Sequence, residues 1–165
     1  MQEILSPIQL EQKIQRLAHE LLENCFEEKE VFIGGIHGNG FLLAERLLDI
    51  LREATDDVKI HLFEVTVNKD EPWSEPIKLS IPTETMKNGF IVLVDDVLNS
   101  GKTMQYALNE ILQFPTKAIK TLTLVDRTHR RFPIKADFVG IRLSTTLQER
   151  VEVLMDENGI KAYLA

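Results

Sequence analysis

The chain has 165 residues, 44% hydrophobic and 27% charged, a balance that builds one globular domain over residues 1–165 and excludes a disordered tail, a fibre or a collagen-like repeat. Acidic residues outnumber basic ones 26 to 19, for a formal charge of −7, which disfavours a surface that coats RNA or DNA while leaving room for a local basic patch. A lone cysteine, Cys25, rules out an internal disulfide; with no basic or apolar leader after Met1-Gln2-Glu3 and no long apolar run, the expectation is a cytoplasmic protein with no membrane contact.

Ser6-Pro7 reads as a helix start, with Ser as N-cap and Pro at the first helical position. Ile14, Leu17, Ala18, Leu21, Leu22 and Cys25 follow at helical spacing, which makes Cys25 a packed small hydrophobe. Val31-Phe32-Ile33 reads as a buried strand closed by Gly34-Gly35. A second helix runs through Leu42, Leu43, Ala44, Leu47, Leu48 and Leu51. Lys59 to Val67 alternates like a strand, and Asn68 to Asn88, with prolines at 72, 76 and 82, reads as a long loop or irregular hairpin. Phe90 to Val94 is the strongest buried strand, ended by Asp95-Asp96, and Ser100-Gly101-Lys102-Thr103 opens another helix. Ile119 to Val125 is the next strand; Phe138-Val139, Val151 to Leu154 and Ile160 to Leu164 are short ones. Strands alternating with helices imply an α/β fold with a parallel sheet covered on both faces. Right-handed crossovers then put the loops after the strands, and any ligand, at the carboxyl edge.

The segment from Val94 to Met104 concentrates the chemistry. An apolar strand delivers Asp95 and Asp96 to the sheet edge, a short loop follows, and a helix begins. Backbone N–H groups and the positive helix end favour an anion there, with Ser100 and Thr103 adding hydroxyls and Gly101 permitting close approach. Donors for a phosphate beside acceptors for hydroxyls suit a sugar phosphate. Gly101-Lys102-Thr103 is not the end of a P-loop, because the required earlier glycine is replaced by Asp96. His19 and His61 have no Cys or His partner at metal-ligand spacing.

This stretch resembles the phosphoribosyl-pyrophosphate (PRPP) signature of type I phosphoribosyltransferases. The segment Leu124-Val125-Asp126-Arg127-Thr128-His129-Arg130-Arg131-Phe132-Pro133-Ile134-Lys135-Ala136-Asp137-Phe138-Val139-Gly140 resembles the matching part of the pyrimidine-operon attenuator/uracil phosphoribosyltransferase family. The resemblance implies the type I fold: a central parallel sheet flanked by helices, a small hood and a flexible lid loop. It implies that Asp95 and Asp96 bond the ribose hydroxyls and that Asn99, Ser100, Gly101, Lys102 and Thr103 cradle the 5-phosphate. Ile36, His37, Gly38 and Asn39 would form the pyrophosphate loop, often built on a non-proline cis peptide. Lys69 would act from the lid spanning Asn68 to Asn88. Asp126, Arg127, Phe138 and Val139 would face the base, with Phe138 stacking on it and the Val139 backbone reading its edge. The implied reaction joins a nucleobase to PRPP and releases pyrophosphate, with Mg²⁺ bound mainly through PRPP, in a homodimer or larger homo-oligomer.

Three departures from the family pattern sharpen that expectation. His37-Gly38-Asn39-Gly40 stands where the attenuator family has Lys-Thr-Arg-Gly, so two cations are lost beside a highly charged leaving group; His37 can supply part of one. Lys69 stands for an arginine of the lid and cannot clamp a phosphate bidentately. Asn99 and Asp126 occupy positions that hold an acid and a lysine in the 6-oxopurine branch; Asn99 takes no proton and Asp126 repels a 6-oxo group, so the expected base is uracil, giving UMP. The rival expectations are a catalytically weak, nucleotide-sensing RNA-binding regulator and a purine enzyme. The basic cluster Arg127, His129, Arg130, Arg131 and Lys135 is open to two readings, an RNA contact surface or a solvated loop beside the nucleotide.

Overall fold

The computed structural model describes residues 2–144, 150–156 and 159–164. In chain order the elements are β1 (Gln2–Leu5), α1 (Pro7–Cys25), β2 (Glu30–Ile36), α2 (Asn39–Ala54), β3 (Lys59–Thr66), β4 (Lys78–Leu79), a 3₁₀ turn at Thr83–Met86, β5 (Gly89–Leu98), α3 (Lys102–Ile111), β6 (Thr116–Asp126), β7 (Phe138–Arg142), β8 (Val151–Asp156) and β9 (Gly159–Leu164). Six strands form one sheet in the order β4-β3-β2-β5-β6-β7. All neighbours in it run parallel except β4, which returns antiparallel to β3. β1, β9 and β8 form a separate antiparallel sheet, the expected hood.

Strand alternation explains why both faces of the large sheet are covered. Along β5, Phe90, Val92 and Val94 pack with α1 and α2, whereas Ile91 and Leu93 pack with α3. α1 starts with a capping box: Ser6 Oγ accepts from Gln9 N and the Gln9 side chain accepts from Ser6 N. Its stripe Leu10, Ile14, Leu17, Leu21 and Cys25 is buried.

Several boundaries differ from the sequence reading. Gly34-Gly35 do not close β2 but lie within it, because the Phe63 ring from β3 occupies the space over Gly34: an added Cβ would meet its Cζ at 2.3 Å. β5 does not stop at the two aspartates. It continues to Leu98, held by pairing of Asp95 with Thr123 and Val97 with Val125 of β6. β1 was not anticipated; four residues with one buried side chain carry no periodic signal, and their partner, β9, lies at the far end of the chain. Among the described residues, no helix is long and apolar enough to cross a membrane.

Candidate functional site

The carboxyl end of β5 supplies two acids in different environments. Asp95 is 5% exposed, and its Oδ1 accepts from Asp96 N at 2.9 Å. Burial, then the neighbouring Asp96 carboxylate, push its pKa well above the usual carboxylate value, while the Lys69 ammonium pulls the other way. Asp96 is half-buried and oriented from three directions. Its Oδ1 accepts from Val97 N at 2.8 Å, its Oδ2 from Asn39 Nδ2 at 3.2 Å, and its carbonyl from Thr123 Oγ1 at 3.1 Å. The same Asn39 amide donates to Val153 O of β8 at 2.7 Å, so one side chain joins the start of α2, the acid and the hood.

Immediately after β5 the chain turns through Asn99 and Ser100 into α3. Gly101 is the N-cap, at φ +89°, with no side-chain cap hydrogen bond. Lys102 N donates to Ser100 Oγ at 3.3 Å. The turn therefore aims the start of a helix, with its exposed donors and positive end, at the space beside the two acids.

A cavity of about 490 Å³ occupies that space. It is lined by the two acids, the loop from Val97 to Met104, Asn39, Lys69, and Val151 to Leu154 of the hood. Its volume suits a nucleotide-sized ligand. The hood residues are the part missed from the sequence; alternation of Val151 and Val153 marks a strand but not the sheet it joins. Lys69 belongs to the turn between β3 and β4. Asn68 organises that turn, its Oδ1 accepting from Asp70 N (3.2 Å) and Glu71 N (3.0 Å). Lys102 Nζ donates to Asp70 O at 2.9 Å and lies 6.0 Å from the Trp73 ring centre, so the lid segment rests on the first turn of α3.

The remaining expected site residues lie apart from this cavity. Ile36 is buried in the core, and the described backbone contains no cis peptide, so the expected cis bond of this loop is trans. His37 turns outward, its side chain 66% exposed, with Nδ1 at 3.0 Å from Glu64 Oε2; the glutamate was not anticipated. Asp126 is buried, with its Oδ1 accepting from Thr128 N and from Arg130 Nη2. Arg127 Nη1 donates to Asn99 Oδ1 at 3.2 Å. Val139 sits level with Asp95 across the sheet, through Thr123, and its carbonyl accepts from Arg16 Nη2 at 3.2 Å. The Phe138 ring is 5% exposed in the core beside Leu122, Leu124 and α1. A ring in that place presents no face to a ligand, so a stacking role does not follow.

Among the described residues, no three His, Cys, Asp or Glu side chains converge on a metal-sized point. Two adjacent hard oxygen donors fit a Mg²⁺ that keeps most of its ligands from a diphosphate and water.

Residues 1–156 match the family model described as a phosphoribosyl transferase domain. Among curated proteins, the chain is 36% identical over 165 residues to the bifunctional protein PyrR of Synechocystis sp., covering 95% of this chain and 92% of that one. It is also 36% identical to the bifunctional protein PyrR of Streptomyces coelicolor, over 87% of this chain and 78% of that one. Among solved structures it resembles a hypoxanthine-guanine phosphoribosyltransferase from Bacillus anthracis (TM-score 0.69, 22% identity, 87% of this chain and 82% of that one). A hypoxanthine phosphoribosyltransferase from Staphylococcus aureus is similar too (TM-score 0.72, 15% identity, 88% and 80%).

Proposed function

We propose, from the premise that this chain belongs to the phosphoribosyl transferase family and to its PyrR branch, that it transfers the phosphoribosyl group of PRPP to uracil, giving UMP and pyrophosphate. The observation that carries this reading is the juxtaposition at the end of β5: two carboxylates beside an uncapped helix start, roofed by the hood and a lid lysine. A ribose diol needs acceptors and a 5-phosphate needs donors, and one cavity is lined by both.

Transfer at C1 of the ribose passes through a loose transition state in which positive charge grows on the sugar and negative charge on the leaving pyrophosphate. The chain's tasks are then positioning and charge stabilisation. Asp95 and Asp96 hold the 2- and 3-hydroxyls, and Asn99 to Thr103 hold the 5-phosphate. Bound Mg²⁺ supplies charge to the diphosphate. Lys69 stands over Asp95 as the lid's cation, and a closed lid keeps water from the activated sugar. Asn39, at the start of α2, is the member of the pyrophosphate loop that lines the cavity, and it is already committed to Asp96 and Val153. Asn99, which lines the cavity, takes up no proton, a feature that favours uracil over a 6-oxopurine; Asp126, buried and paired with Arg130, faces no base and does not enter that choice.

That commitment of Asn39, with an outward-facing His37, favours a second reading: a nucleotide-binding regulator with weak turnover. One experiment separates them. The protein is mixed with Mg²⁺ and PRPP, offered uracil, hypoxanthine, guanine, adenine, xanthine or orotate, and the nucleotides are resolved chromatographically. UMP from uracil alone is the expected result. Nucleotide from a purine overturns the base assignment, and PRPP binding without product from any base selects the regulator.

A further inference from the structure

The segment 127–134, basic by its composition, leaves Thr128, Arg131 and Pro133 exposed but turns Arg127, Arg130 and Ile134 toward the loop after β5. We propose that it is a brace for the 5-phosphate loop and that Arg130 is its positioning residue; the proposal rests on the phosphoribosyl transfer reading above. A backbone loop binds a phosphate only if its N–H groups face the ligand, which obliges its carbonyls to face away and to find donors elsewhere. The brace provides those donors for three consecutive residues. Leu98 O accepts from Arg127 N at 3.0 Å. Asn99 O accepts from Arg130 Nη1 at 2.6 Å. Ser100 O accepts from both Arg131 N (2.8 Å) and Phe132 N (3.0 Å). The Ile134 methyl closes on Gly101, where a Cβ would meet it at 2.3 Å.

Arg130 ties these contacts together. Its Nε donates to Ile134 O at 3.0 Å, fixing the far end of the brace, and its Nη2 pairs with Asp126 Oδ1 at the end of β6. One planar guanidinium thus spans the end of β6, the phosphate loop and the brace, which a flexible ammonium cannot do. Thr128 is held at φ +64°, a left-handed conformation costly for a β-branched residue, and the surrounding contacts maintain it. The guanidinium touches no substrate; it acts through the Asn99 carbonyl on the N–H groups that do.

The test is steady-state kinetics of R130Q, R130K and R131Q. Arg131 belongs to the same segment and is exposed, so R131Q removes the same charge while leaving its backbone bond to Ser100 O in place. Expected for R130Q is a rise in the Michaelis constant for PRPP of about ten- to a hundredfold, the loss typical of hydrogen bonds from a charged donor. kcat at saturating PRPP and the Michaelis constant for the base stay as in wild type, R130K is intermediate, and millimolar guanidinium partly restores R130Q. R131Q behaves as wild type. A lowered melting temperature with an unchanged PRPP constant overturns the proposal, as does an equal effect of R131Q. If R130Q does not fold, R130K carries the same comparison. If the wild-type protein makes no nucleotide, the transfer reading falls, and the brace is then tested by binding of ribose 5-phosphate: equal affinity in wild type and R130K overturns it.

Discussion

A carboxylate buried at a sheet edge, as Asp95 is, is an expensive group to leave charged. The native pKa of Asp95 lies above its unfolded value near 3.8, so the folded chain holds that proton further up the pH scale than the unfolded chain does. The resulting stability contribution is complete below the unfolded value and is lost as pH rises through the folded one. Asp95→Asn has no such proton to lose. Its melting temperature should therefore exceed that of wild type at pH 7–8, with the margin shrinking toward pH 4, while turnover falls at least about tenfold through loss of a charged acceptor for the diol. Melting curves across that range beside a product assay check both halves. Cys25 presents the opposite case, a buried group with no chemistry to perform. Burial, and then Glu28, push its thiol up to about 11, so thiolate is scarce at neutral pH. A thiol reagent at pH 8 should leave the native protein unlabelled and react with one equivalent in denaturant. Rapid native labelling would contradict the packing of α1.

Elements show why part of the site was legible in the sequence and part was not. The strand-acid-acid-loop-helix stretch around Asp95 and Gly101 declared itself because an apolar run, a carboxylate pair and a glycine must be adjacent in the chain to work together. The end of β5 was set too early because acids usually stop a strand; here pairing with β6 carries the ladder through them. Phe138 was given to the base by the family resemblance alone, and strand alternation in β7 does not say which face meets the cavity. Arg127 and Arg130 looked like surface cations because their partners, the Asn99 side chain and carbonyl, lie about thirty residues earlier, as the separations of 28 and 31 show. The lid belongs at this scale too. Besides the tilted packing of Trp73 on Tyr106 of α3, with ring centres 6.2 Å apart, Lys102 ties it to α3 by an exposed hydrogen bond and a cation–ring contact with Trp73, worth about 1 kcal/mol or less each. A phosphate arriving at the loop can therefore take Lys102 from the lid at small cost. Trp73 is the sole tryptophan, so its emission reports that event directly. PRPP with Mg²⁺ should change Trp73 emission in wild type, and Lys102→Met should abolish most of the change.

At the scale of the whole molecule, the site is the meeting of two sheets. The large sheet brings the acids and the loop from Asn99 to Thr103; the small one brings Val151 to Leu154, joined to the acids through Asn39. Ala162 is fully buried in the middle strand of the small sheet, paired with Leu5 on one side and Val153 on the other. Proline there removes a ladder bond from a central strand, a place from which proline is excluded. Ala162→Pro should keep the circular dichroism of the large sheet and lose PRPP binding, which titration of the ligand would show. The family resemblance foretold a hood but not its construction, since β1 and β9 pair across nearly the full length of the chain.

That pairing also orders events during synthesis. A ribosome releases the acids and the phosphate loop well before residues 159–164, so the large sheet has time to form around an unroofed site. The middle strand of the hood arrives after every other described element, and β1, made first, must wait for it. An arrested chain ending before β9 would carry the paired acids and the loop after β5 yet no closed chamber. Competence for chemistry is thereby deferred until translation has passed the last strand.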